Sequence, residues 1–598
     1  MSEYVAPLRD MQFVLRELAQ VETLSSLPGF EDATPDLAEA ILEEAAKFAT
    51  NVLSPLNISG DREGVHWDDG QVFTAKGWKE AYRQFIDGGW NGLSGDPTYG
   101  GQGLPRLISA LVEEMWNGAN TSFALCPMLT AGFIESVALC GTDLQKQTWL
   151  PKLVSGEWTG TMVLTESQAG SDLSAVRTRA VPQADGSYRL HGQKIYITYG
   201  EHDMTDNIVH LVLARTPDAP EGVKGISLFI VPKFLLNADG SPGLRNDVRC
   251  VSTEHKLGIH ASPTCVLAFG DNAGATGWLV GEENRGLEYM FITMNAARYS
   301  VGIEGIGLSE RAYQRALRYA RDRIQGTEAG SGKRERVSIL RHPDVRRMLM
   351  EMKAYTEAMR ALACVVGAAI DVSHAHADAS VRAAKQKFVD LMIPVVKGWS
   401  TETAIHVASI GVQVHGGMGF IEETGAAQHL RDARITAIYE GTTCIQALDL
   451  IGRKVARDGG TTIREMIMAI HDVEVRIRNR NDEQLTAIAN QLSRSTASLE
   501  VAVDFIVANY GSDIRKAAAG AVPFLELVGI VAGGWQMARA ADVALTHLAS
   551  GDGDKTFYQG KLLTARFYAD HILPRSEALA HCVVNGADAA LAMHDDAF

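Results

Sequence analysis

The segment Arg431-Asp432-Ala433-Arg434-Ile435-Thr436-Ala437-Ile438-Tyr439-Glu440-Gly441-Thr442-Thr443 sets one acid, Glu440, beside Ile438 and Tyr439 and just ahead of a helix start. Thr443-Cys444-Ile445-Gln446 reads as a capping box, and Ile445, Leu448 and Val455 continue at helical spacing. A carboxylate there has two readings. It is a surface acid complementing the helix dipole, or a partly desolvated general base with raised proton affinity. A second segment, Leu164-Thr165-Glu166-Ser167-Gln168-Ala169-Gly170-Ser171-Asp172, ends a strand in hydroxyls and small residues. Its backbone N–H groups could meet a phosphate or a ring carbonyl, or it is a plain strand-to-loop connection. In a third, Lys194-Ile195-Tyr196-Ile197-Thr198-Tyr199-Gly200, Tyr196 and Thr198 share one face of a strand. That pair offers an aromatic wall and a hydroxyl to a planar cofactor, although half-buried strands carry such pairs routinely.

Other chemistries lack their signatures. Gly302-Ile303-Glu304-Gly305-Ile306-Gly307 lies inside a helical pattern with no strand before it, so it is no dinucleotide fingerprint. Its small residues instead let two helices approach closely. There is no P-loop, no H-E-x-x-H and no G-x-S-x-G, and the 17 histidines show no metal-ligand spacing, so no metal is expected.

The elements that must position these residues follow from composition and period. A chain of 598 residues, 46% hydrophobic and 21% charged, has ample material for cores and suggests about four units. Net charge is −16, from 56 basic and 72 acidic residues, which argues against a nucleic-acid-coating protein. Seven scattered cysteines without a C-x-x-C fit reduced thiols, and a cytoplasmic location is expected. Residues 1–18 mix Glu3, Arg9, Asp10, Arg16 and Glu17 among apolar residues, so no signal peptide is read there. The apolar stretch 518–538 carries Pro523 and Glu526 and reads as a buried helix or helix pair, with no integral membrane span expected.

Residues 1–158 read mostly helical, with Leu37, Ile41 and Ala45 on one face opposite acids, and a Gly- and Pro-punctuated loop at 91–105. From 159 to 281 short β-branched runs alternate with turn signals such as Ala184-Asp185-Gly186-Ser187. No helical stretch alternates with them, so an antiparallel barrel or sandwich fits better than a βαβ sheet. Residues 282–456 return to long helices, at 299–323, 343–375 and 379–410, with a polar loop at 326–336. A linker at 457–461 precedes a further helical module, 463–598.

Seven segments decide between the readings by their order: Tyr99-Gly100-Gly101-Gln102-Gly103, Thr165-Glu166 with Gly170-Ser171-Asp172, residues 194–200, Lys256-Leu257-Gly258, residues 286–298, Gln413-Val414-His415-Gly416-Gly417, and Tyr439-Glu440-Gly441-Thr442. In that order they resemble the acyl-CoA dehydrogenase family of flavoproteins, from about residue 36 to 453. The resemblance implies a mainly α fold with a central antiparallel β-barrel domain, and FAD lying between barrel and helical bundle. It implies that Glu440 is the catalytic base, taking an α-proton of an acyl-CoA thioester while the β-hydride passes to flavin N5. Thr165 and Ser171 then lie near the flavin or the CoA moiety, Thr198 near N5, and Thr442 at the cofactor. Tyr196 stands where the family usually has Trp and still stacks on the ring, with less area and a hydroxyl to satisfy. Arg298 and Gly441 are implied substrate contacts. Arg323, Gln413 and Gly417 are implied to reach FAD across a homodimer interface, although Gln325-Gly326 replaces the usual Phe-Gly after Arg323. The backbone N–H of Glu440 and a ribityl hydroxyl of FAD are the implied donors to the thioester oxygen.

The module beyond residue 463 resembles the extension of larger members, which include 3-methylmercaptopropionyl-CoA and long-chain fatty acyl-CoA dehydrogenases. The implied substrate is thus a fatty acyl-CoA or 3-methylmercaptopropionyl-CoA, and the implied electron partner an electron-transfer flavoprotein. An acyl-CoA oxidase using oxygen and a non-catalytic flavin-binding scaffold stay open as alternatives.

Overall fold

The structure, a computed structural model, describes residues 4–330, 332, 335–551 and 553–598, and the backbone but not the side chain of Thr293. The chain divides into two compact units, one formed mainly by residues 47–104 and 119–300, the other by 4–46, 105–118 and 301–598.

The first unit is built on eight strands: β1 (Thr159–Val163), β2 (Arg179–Pro182), β3 (Tyr188–Thr198), β4 (Ile208–Ala214), β5 (Ser227–Pro232), β6 (Val248–Thr253), β7 (Thr264–Phe269) and β8 (Ala275–Val280). They pair in the order β6-β7-β3-β8-β5-β4-β1, with β2 on β3. The sequence reading expects only antiparallel pairs, and the structure corrects this at one place: β1 runs parallel to β4, Thr159 opposite Ile208. Parallel neighbours need a long crossover, and the β2–β3 hairpin between them supplies it. Every residue of β4 and β5 is buried. Leu211, Leu213, Leu228 and Ile230 face a core with Phe133, Trp149 and Trp158. Val212, Ala214, Phe229 and Val231 face another with Ile197, Cys265 and Leu267. A sheet covered on both faces reads as continuous apolar runs, as these strands do. The β2–β3 turn has the expected chemistry, Asp185 accepting from the Ser187 amide at 3.0 Å ahead of Gly186 at φ 83°.

The second unit is helical. α1 (Arg106–Cys140) contributes its first turns, and the helix is broken at Asn120 (φ −163°, ψ 89°). The expected long helices are α2 (Gly286–Asp322), which begins 13 residues before the expected 299, α3 (Pro343–Ala375), and α4 (Ala379–His415), which runs five residues past the expected 410. α5 (Ala426–Thr436) and α6 (Thr443–Asp449) frame the Glu440 turn. The C-terminal module adds α7 (Thr461–Arg478), α8 (Glu483–Tyr510), α9 (Ala521–Ser550) and α10 (Lys555–His571), with shorter helices after them. The glycines of 302–307 do what small residues at a helix contact do. A Cβ at Gly305 would stand 2.8 Å from the Ser400 carbonyl of α4, and one at Gly307 would stand 2.7 Å from the Gly118 amide of α1.

A buried ionic cluster ties these helices together. The Arg360 guanidinium donates to Glu114, Asp10 (2.6 Å) and Glu310 (2.8 Å), while the Lys561 ammonium donates to Asp10 (2.6 Å) and Glu357 (2.8 Å). It thereby joins α10 of the C-terminal module to α3 and to the N-terminal segment. Removing one partner would leave uncompensated buried charge, at about 3–5 kcal/mol. Three helices, Arg106–Cys140, Pro343–Ala375 and Ala521–Ser550, are long and apolar enough to cross a membrane by length and composition, and most of each apolar window is buried inside the protein.

Candidate active site

In the first unit the strand end and the third segment come together. The Ile195 amide donates to the Thr165 carbonyl at 3.0 Å, which sets half-buried Thr165 beside Tyr196. Lys194 pairs with Leu267, and Ile197 with Cys265, so β3 holds one extra residue against β7. This bulge carries Tyr196 at φ 61°, with the residue 60% exposed. Bulges bend a strand and re-aim side chains. Ile197 enters the core, leaving Tyr196 and half-buried Thr198 on the other side of the strand. Below them Tyr199, also left-handed at φ 51°, is buried and donates to the Ser122 carbonyl at 2.7 Å. Ser171 lies exposed at the loop tip, and Arg298, 2% exposed, donates to Asn295 at 3.4 Å.

The loop itself is held by Glu166. Its carboxylate accepts from the Arg177 and Thr178 amides (2.8 and 3.0 Å) and the Thr178 hydroxyl (2.6 Å), and pairs with Lys194 at 2.9 Å. Burial opposes its ionisation, but Lys194 and the donors outweigh burial and hold its pKa at about 2. Glu166 is a charged strut at neutral pH.

In the second unit Glu440 is half-buried in the turn between α5 and α6, at φ 54°, followed by Gly441 at φ 90°. A left-handed Glu is strained by about 1–3 kcal/mol and persists only where its surroundings over-determine it. They do. Gln446 Nε2 donates to the Glu440 and Gly441 carbonyls at 3.2 Å, Lys397 Nζ donates to the Gly441 carbonyl at 2.8 Å, and the Thr443 amide donates to Ala437 at 3.1 Å.

Two details of the sequence reading need correction here. The N-cap of α6 is Thr442, whose hydroxyl accepts from the Ile445 amide at 3.4 Å. Thr443 instead donates to Glu402 at 2.6 Å, and Gln446 is drawn to the turn carbonyls. The neighbourhood is also less apolar than Ile438 and Tyr439 imply: Ile438 is 45% exposed, and the Tyr439 hydroxyl donates to Glu304 of α2.

Glu304, Lys397 and Gln446 bond to the 439–441 turn and carry no site role in the sequence reading. Glu304 is fully buried, and its Oε1 has no hydrogen-bond partner among the described residues. Burial raises its pKa to about 8, with the Glu440 charge adding to burial, and the Tyr439 hydrogen bond and Lys397 opposing it. The available signal was an acid between two glycines inside a helix–helix contact, where water has no room.

Arg323, Gln413 and Gly417 are all exposed, and the ends of the two helices that lead to them touch. Tyr319, one turn before Arg323, stacks on His415, two residues after Gln413, with ring centroids 4.4 Å apart. From Glu304 to Asp322, α2 rises roughly 27 Å at about 1.5 Å per residue, so this cluster stands far from the Glu440 turn.

The chain thus combines a mainly helical architecture with a β-sheet unit and a strained acid held at a helix start. Family models match in four consecutive stretches: the acyl-CoA dehydrogenase N-terminal domain at 35–157, middle domain at 161–272 and C-terminal domain at 284–456, then the acetyl-CoA dehydrogenase C-terminal like model at 463–594. The chain belongs to the acyl-CoA dehydrogenase family, oxidoreductases acting on CH–CH bonds. It is 49% identical to the 3-methylmercaptopropionyl-CoA dehydrogenase of Ruegeria pomeroyi, over 98% of this chain and 99% of that protein. It is 37% identical to the broad-specificity linear acyl-CoA dehydrogenase FadE5 of Mycobacterium tuberculosis, over 96% of each. Among solved structures, Caenorhabditis elegans ACDH-11 in complex with C11-CoA shares the fold, with a TM-score of 0.77 at 19% identity over 98% of this chain and 96% of that one.

Proposed function

We propose that the protein oxidises an acyl-CoA thioester to its trans-2-enoyl-CoA, with Glu440 as the base that removes the α-proton. The observation that carries this is the Glu440 turn: a left-handed acid fixed by Gln446 and Lys397 is strain held in place for a purpose. The Glu440 carboxylate takes the proton, and its own backbone N–H would donate to the thioester oxygen as negative charge develops there. When bound, FAD supplies the two-electron acceptor for the β-hydride.

The residues present fit that cofactor. Thr165, Thr198 and the ring of exposed Tyr196 offer hydroxyls and an aromatic face to a planar ring. Arg323 and Gln413 offer a guanidinium and an amide suited to a diphosphate, and Gly417 offers a surface where an added Cβ would meet nothing within 4 Å. The roughly 27 Å of α2 between Glu304 and Asp322 supports a homodimer in which the Arg323 cluster serves the flavin of a second copy. Ser171, Arg298 and Gly441 are the proposed substrate contacts, with Thr442 at the cofactor. A parallel bridge between Arg179 and Arg215 links β2 back to the end of β4, which supports reading the sheet as a barrel.

The similarity to the Ruegeria relative supports 3-methylmercaptopropionyl-CoA as the first substrate to try, with linear fatty acyl-CoAs beside it. The proposed electron acceptor is an electron-transfer flavoprotein. Heat-released cofactor identified as FAD by mass spectrometry, followed by anaerobic bleaching of the flavin by an acyl-CoA panel, tests the reading. FMN, no flavin, or no bleaching by any thioester would overturn it. Fast reoxidation by air in place of the flavoprotein would make it an oxidase.

A further inference from the structure

Three helices each hold one part of the Glu440 turn. α4 reaches Gly441 through Lys397, α6 reaches the Glu440 and Gly441 carbonyls through Gln446, and α2 reaches Tyr439 through Glu304. The first two act on backbone carbonyls. The third acts on a side chain, and it is the one hold made by a carboxyl group buried away from water. Gly302 and Gly305 bring α2 against α4 closely enough to place Glu304 there, since a Cβ at Gly302 would stand 2.6 Å from Val396.

We propose that Glu304 is a positioning residue for the base: by accepting the Tyr439 hydroxyl it anchors the 439–441 turn to α2 and so fixes where the Glu440 carboxylate stands. This rests on the reading of Glu440 as the base. Tyr439 suits the role because burial, and then the Glu304 carboxyl, push its phenol well above the ordinary range, so it stays a donor. Glu304 suits it because burial keeps it uncharged at neutral pH, and a neutral acceptor holds the tyrosine without adding a second negative charge beside Glu440. The groups that face Glu304 are Lys397 from α4, Tyr439 and Glu440 from the turn, and Glu113 from α1. Of these the Tyr439 hydrogen bond and Lys397 favour its ionisation, and the two carboxylates oppose it.

The test is stopped-flow flavin reduction in the FAD-loaded protein, followed against pH and acyl-CoA concentration. Tyr439→Phe and Glu304→Leu remove the anchor while keeping the size, and each should slow reduction about 10- to 100-fold, as sub-ångström to 1 Å misplacement of a reacting group does. The acyl-CoA dissociation constant should move by less than about threefold, because the loss falls on the reacting step. Glu304→Gln retains an acceptor for the phenol and should restore most of the rate lost in Glu304→Leu. The parent should show an inflection in rate near pH 8, where Glu304 ionises, and Glu304→Gln should lack it. Parental rates in Glu304→Leu and Tyr439→Phe beside a slow Glu440→Gln would overturn the positioning role alone. A parental rate in Glu440→Gln would overturn the base assignment and this inference with it.

Discussion

Two buried carboxyl groups, one in each unit, stand close to a lysine and have opposite fates. Glu166 in the sheet unit keeps Lys194 as a direct partner at 2.9 Å and adds two amides and a hydroxyl, and its pKa falls to about 2. Glu304 in the helical unit sees Lys397 only as a neighbouring charge, accepts one phenol, and its pKa rises to about 8. Burial opposes ionisation in both and is deeper at Glu304. The donors aimed at Glu166 outweigh it, and the single phenol at Glu304 does not. Where donors are plentiful the acid is a strut, and where they are withheld it is a neutral group able to respond to its neighbours.

The comparison breaks most visibly at Glu166. Glu166→Ala strands Lys194 in the interior and should destabilise the fold by about 3–5 kcal/mol, read as a lowered denaturant midpoint. A loss under about 1 kcal/mol would mean that the ion pair is not the strut described.

Opposite pH slopes sharpen it next. Glu166 has a folded pKa below its unfolded value of about 4.3. Its contribution is therefore full above that value and is lost as pH falls toward about 2. Glu304 has a folded pKa above its unfolded value, so stability should fall as pH rises from about 4.3 toward 8, by up to about 1.4 kcal/mol per pH unit. Glu304→Gln should flatten that decline in a denaturation series from pH 5 to 8. An unchanged slope would contradict the neutral buried acid.

Gly305→Ala should cost about 1–3 kcal/mol, because its Cβ would press on the Ser400 carbonyl and force α2 from α4. The same substitution should also slow flavin reduction, since it moves Glu304. A destabilised variant with parental reduction would separate packing from positioning. The smallest effect is expected at Thr442→Ala, about 0.5–2 kcal/mol for a lost N-cap, measured by thermal unfolding, and the long 3.4 Å cap bond places it low in that range.

What was legible in the sequence was period and order. The spacing gave α3 at the residues observed and α4 except for its last five, because long helices repeat their apolar face many times. The strands were legible as β-branched runs, but the parallel β1–β4 pair was not, since pairing partners lie 49 residues apart and leave no local trace. Glu440 was legible through its motif. Glu304 was not, because its environment is made by α2, α4 and the 439–441 turn, and no single stretch of sequence contains all three. The bulge at Tyr196 was hidden for the same reason, as it exists only against β7.

The account turns on Glu440 as the base, and the Gln variant tests it most directly. Glu440→Gln keeps the backbone donor and the packing of the turn, so FAD and acyl-CoA should still bind. Anaerobic flavin reduction by a good acyl-CoA should slow by at least ~10²–10⁴-fold, the loss expected of one general base. Glu422, exposed and paired with Arg431 at 2.9 Å, is not placed to substitute. A rate within a few-fold of the parent would put the base elsewhere and contradict the assignment.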